Sequence, residues 1–114
     1  MPPDLKTATE RVADARSRLA HLSPTEPSLR EIEVVLTDGY ALALAGDAWS
    51  KQIERRLRDL IDVASQPARA RDLRALGIEH CEFERRLIAL RDELQGLRRE
   101  YSRIQATCRI ASAE

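Results

Sequence analysis

The chain has 114 residues, room for one domain, and its 19 Lys and Arg balance 19 Asp and Glu to a formal net charge of zero. With 43% hydrophobic, 33% charged and only 4% aromatic residues, and four glycines in all, it has the profile of long-helix and coiled-coil chains. That composition argues against a β-sandwich or barrel and excludes collagen-like, disulfide-stapled and strongly acidic disordered chains.

Prolines at 2, 3, 24, 27 and 67 divide the chain, because proline cannot continue a helix interior. The spacing predicts a single all-α domain over residues 1–114, with helices at 3–22, 28–64 and 68–112. In the first segment Leu5, Ala8, Val12, Ala15, Leu19 and Leu22 alternate at three and four residues, the mark of an amphipathic helix. Ser23-Pro24-Thr25-Glu26-Pro27 then forces a loop. Thr25 or Ser28 can cap the second helix, and Ser28 with Glu31 has capping-box spacing.

The second helix carries a seam of Leu29, Ile32, Leu36, Gly39, Ala43, Gly46, Ser50, Ile53, Leu57, Leu60 and Ala64. Its glycines leave two readings, a continuous helix with a close contact at Gly39, Ala43 and Gly46, or a break capped by Gly39. Pro67 suits the first position of the third helix. There Leu73, Leu76, His80, Phe83, Leu87, Leu90, Leu94, Leu97, Tyr101, Ile104, Cys108 and Ala111 keep the alternation for nearly six heptads. Heptads sustained that far predict a left-handed coiled coil.

A turn near residues 66 and 67 makes helices two and three an antiparallel hairpin in which facing positions have numbers adding to about 133. Ser50, Gly46, Ala43 and Gly39 then meet Phe83, Leu87, Leu90 and Leu94, small residues against large ones in four successive layers. From Tyr40 to Trp49 the second helix is apolar on nearly every side except Asp47. A helix hydrophobic all round is normally buried all round. A homodimeric helical bundle is therefore expected, with Val35, Gly39, Tyr40, Leu42, Ala43, Leu44, Gly46 and Trp49 at its interface. The competing expectation is a monomeric three-helix bundle that leaves Tyr40 and Leu44 partly exposed.

Chemistry-bearing motifs are sparse. His80 and Glu84 lie one turn apart on a helix face, which suits two metal ligands, but His21 is the only other histidine. His80 therefore reads as a polar core residue that specifies register, and no metal or cofactor is expected. Cys108 reads as a small core hydrophobe. It lies about 40 Å from Cys81 along one helix, so free thiols are expected. Asp14, His21 and Ser23 do not make a triad, no glycine-rich phosphate loop is present, and no catalytic residue is assigned.

Arginine dominates the cations, 17 against 2 lysines. At the hairpin tip Arg55, Arg56, Arg58, Arg69, Arg71 and Arg74 stand against Glu54, Asp59, Asp62 and Asp72. The functional expectation is a non-enzymatic interaction or assembly protein, an adaptor or scaffold with a protein partner. The alternative is a small nucleic-acid-associated protein binding through the arginine-rich tip. No segment approaches the roughly 20 apolar residues of a membrane span. The start Met1-Pro2-Pro3-Asp4-Leu5-Lys6 has no apolar stretch of a signal peptide, so a cytoplasmic location without membrane contact is expected.

Overall fold

A computed structural model describes the backbone of residues 1–21, 26–62 and 67–113 and the side chains of residues 1–21, 28–62 and 69–110. The chain is all-α, with helices α1 (Leu5–His21), α2 (Glu26–Ile61) and α3 (Pro67–Ala113) and no strand among the described residues.

Helix α1 starts at Leu5, two residues later than the spacing alone suggests, because Asp4 caps it. The Thr7 backbone N–H donates to Asp4 Oδ1 at 3.0 Å and the Thr7 hydroxyl donates to Oδ2 at 2.6 Å. Both bonds favour the ionised carboxylate and hold Asp4 below its ordinary pKa. One face of the helix is buried, at Leu5, Ala8, Val12, Ala15 and Leu19.

Helix α2 begins at Glu26, so Ser28 and Glu31 lie within its first turns, while the other expected cap, Thr25, lies outside the described residues. It runs unbroken through Gly39 and Gly46, neither of which has a positive φ. It ends at Ile61, and the expected seam position Ala64 lies outside the described residues, as does Leu22 of the first segment. Pro67 opens α3. This 47-residue helix is about 70 Å long at 1.5 Å per residue, which sets the long dimension of a 71 × 20 × 18 Å rod.

Glycine permits the closest packing in the rod. A Cβ on Gly39 would lie 2.5 Å from Leu94 Cδ2, and one on Gly46 would lie 2.9 Å from Leu87 Cδ1. Both pairs add to 133 and step in opposite senses, so α2 and α3 run antiparallel where they meet. Helix α1 closes a third side: Val12 approaches Gly39 and Leu5 approaches Gly46, within 3.5 and 3.4 Å of the same added Cβ atoms. Leu87, Leu90, Leu94 and Leu97 are 1% exposed or less, each contributing about 1.5–3 kcal/mol through burial.

With 17 residues, α1 reaches only part of the rod. Pro2 to Lys6 lie beside Trp49, Glu79 and Phe83, and the helix runs from there toward Gly96, against which Arg16 packs. On the other side of Trp49 only α2 and α3 face each other. In that two-helix arm Ile53 is buried but Leu57, Leu60, Leu73 and Leu76 are half-buried, because two helices cannot enclose a seam that three can. At the opposite end Cys108 is exposed, which corrects its reading as a core residue. Helix α2 begins at Glu26, which the 133 register pairs with position 107, so no described residue of α2 faces Cys108.

Candidate functional site

Among the described residues Ser50 is the one buried polar side chain, at 4% exposure, and a polar cluster is built on it at the base of the two-helix arm. Its hydroxyl donates to Glu84 Oε1 and lies 3.2 Å from His80 Nε2. His80 Nε2 is 3.5 Å from Glu54 Oε1 and 3.7 Å from Glu84 Oε1. One ligand atom from each of Glu54, His80 and Glu84 lies within 4.8 Å of the other two. The helix geometry explains the arrangement. His80 and Glu84 are one turn apart on α3, and the antiparallel pairing sets Ser50 and Glu54, also one turn apart, across from them.

His80 is thus only partly a core residue, its side chain 21% exposed. Glu54 was not legible as its partner because it sits beside the seam position Ile53 and not on it. The 133 register places Ile53 opposite His80, and the neighbouring long side chain reaches back to the imidazole.

The residues assigned to an interface from the sequence separate into three groups. Gly39, Ala43 and Gly46 are buried within the chain against α3 and α1. Val35, Leu42 and Trp49 are partly buried on the same core. Only Tyr40, 38% exposed, and Leu44, 70% exposed, face outward. They are joined by residues that the seam reading passed over: Val34 is 54% exposed, and Ala41, Ala45 and Ala48 are exposed as well. Positions 34, 37, 41, 44 and 48 repeat the three-four alternation on the side of α2 turned away from the core, with Thr37 the only polar member. That spacing was present in the sequence, masked by the stronger seam behind it.

At the arm's tip Arg55, Arg56, Arg58, Arg69, Arg71 and Arg74 are all exposed. So are Asp59, Asp62 and Asp72, which interleave with the arginines. An open groove of about 430 Å³ on the arm is lined by both signs of charge, Arg56 with Asp59, Asp72 and Glu79, over Leu60, Ala75 and Leu76.

Among the described residues, Arg55 with Asp59 and Glu82 with Arg86, each one turn apart on a helix, do not form ion pairs. Arg91–Asp47, Arg11–Asp38 and Arg16–Glu93 instead link different helices, each surface pair worth about 0–1 kcal/mol. Tyr101 donates its phenol hydrogen to Glu33 across α3 and α2, and this bond to a carboxylate raises the phenol pKa. Cys81 and Cys108 are free and exposed. No described helix is long and apolar enough to cross a membrane.

No protein-family model matches the chain, and neither the curated proteins nor the solved structures provide a significant match.

Proposed function

We propose that this chain is a non-enzymatic interaction and assembly protein. In this reading it is a coiled-coil helical hairpin braced by α1, and it acts as a homodimer through the outer face of α2. The observation that carries the reading is the second apolar stripe, in which Val34, Ala41, Leu44 and Ala48 keep heptad spacing while facing solvent. The inner seam already accounts for the fold, so the core gives no reason for Leu44 to be apolar where it is 70% exposed. Small Ala41, Ala45 and Ala48 beside Leu44 form the shallow relief into which a like helix packs ridge into groove. A second copy of the same face is the occupant argued here, since a two-fold axis brings one patch against itself. Free cysteines suit a reducing compartment such as the cytoplasm.

The test is light scattering coupled to size exclusion on the wild-type chain and on Leu44→Glu. The wild type should elute with about twice the chain mass of 12.9 kDa, and Leu44→Glu should elute as a monomer with unchanged helical circular dichroism. A wild-type monomer at micromolar concentration would remove the dimer. A dimer indifferent to Leu44→Glu would place its interface elsewhere.

A further inference from the structure

We infer that Glu54, His80 and Glu84 form a binding site for a first-row divalent transition metal of the zinc type, which pins α2 to α3 at the base of the two-helix arm. Neutral imidazole nitrogen and carboxylate oxygen are ordinary ligands for such an ion at about 2.0–2.2 Å. Two ligand atoms at those bond lengths on a tetrahedral ion are separated by about 3.4 Å. The two imidazole-to-carboxylate separations, 3.5 and 3.7 Å, are already close to that edge. All three candidate atoms lie within 4.8 Å of one another, so rotamer adjustments of a few tenths of an ångström to about 1 Å bring them onto one ion.

Three features distinguish the cluster from a chance meeting of surface acids. The imidazole is among the less exposed groups, 21% against 45% and 36% for the two carboxylates. The Ser50 hydroxyl, buried at the helix interface, donates to Glu84, holding that carboxylate in position as the outer hydrogen bonds of metal sites do. Both carboxylates also converge on the same imidazole nitrogen, from two different helices, so a single cation there would meet one neutral and two anionic ligands. Three protein ligands leave the fourth corner of a tetrahedron to water or a small anion.

The location gives the ion its consequence. The cluster lies just beyond the start of α1, where the apolar seam between α2 and α3 becomes half-buried. Cross-linking the two helices there stiffens the arm that carries the arginine-rich tip. The inference is independent of the dimer, because Glu54, His80 and Glu84 are not part of the outer face of α2.

The experiment uses the full chain, stripped with chelator and titrated with Zn²⁺ by calorimetry and with Co²⁺ by absorption. Glu54→Gln, His80→Gln, His21→Ala, Cys81→Ser and Cys108→Ser are compared with the wild type, each checked by circular dichroism for retained helix. One ion per chain is expected, with Co²⁺ d–d bands and no intense near-ultraviolet thiolate charge-transfer band. Affinity should fall at least tenfold in Glu54→Gln and His80→Gln and should be unchanged in the other three variants. Amide exchange in the arm, residues 50–61 and 69–80, should slow when Zn²⁺ binds. Failure to bind at millimolar Zn²⁺, binding unaffected by Glu54→Gln or His80→Gln, or loss confined to a cysteine variant would each overturn the site. Unaltered amide exchange on binding would overturn the pinning role.

Discussion

Replacing Gly39 with alanine sets two opposing effects against each other, and Gly77 separates them. Both glycines lie inside helices, so alanine at either gains about 0.5–1 kcal/mol through helix propensity and a less flexible unfolded chain. At Gly77 nothing lies within 4 Å of the added Cβ, so that gain should be realised in full. At Gly39 the Cβ meets Leu94 Cδ2 at 2.5 Å, with Leu94 Cγ at 3.4 Å and Val12 Cγ2 at 3.5 Å. Leu94 is 0% exposed and cannot swing its methyl into open space, so the helices must shift. Overpacking of this kind costs about 1–3 kcal/mol. The expected result is stabilisation by Gly77→Ala and a Gly39→Ala variant about 1–3 kcal/mol less stable than Gly77→Ala. In a chain of this size that corresponds to roughly 4–12 °C between the two melting midpoints. Urea denaturation followed by circular dichroism at 222 nm gives both values directly. Equal stabilisation by the two substitutions would refute the close approach of α2 to α3 and the register built on it.

Leu90→Ala removes a side chain at 0% exposure in the middle of the three-helix core and should cost about 2–5 kcal/mol in the same urea assay. Asp4→Ala should lower the melting temperature at neutral pH. Because Asp4 titrates lower in the folded chain than in the unfolded one, its contribution is present above the unfolded pKa near 3.9 and is lost as pH falls further. The gap between wild type and variant should therefore close in a melting series carried to pH 2. Tyr101 has the opposite sign: its folded pKa is raised by the bond to Glu33, so its contribution is present below pH 10 and is lost above it. A Tyr101→Phe variant should be less stable than wild type at pH 8 and converge with it as pH rises beyond the phenol's folded pKa.

The sequence made the helices and the inner seam legible because three-four spacing is a local property that any window of the chain displays. The placement of Leu94 against Gly39 and Leu87 against Gly46 followed as well, since the expectation of a turn near residues 66 and 67 already sets which positions face each other. Burial at the ends was harder to anticipate. Whether Leu57, Leu60 or Cys108 is covered depends on how far another helix reaches, and α1, with 17 residues, leaves the arm as two helices. The start of α1 depended on the Asp4 side chain finding Thr7, which proline position alone did not reveal. Glu54 was hidden for a different reason. It lies one residue off the seam, and only antiparallel pairing joins it to a histidine 26 positions away.

A single distance tests the architecture on which these readings depend. With Cys81 and Cys108 replaced by serine, spin labels are placed at the exposed positions Ala45 and Ala89 and diluted with unlabelled chain to suppress contacts between copies. Helices packed at 8–10 Å between axes place the labels in a narrow distribution at about 20–25 Å. A broad distribution, or one beyond about 50 Å as a continuous helix between these positions requires, would contradict the folding of α3 back along α2.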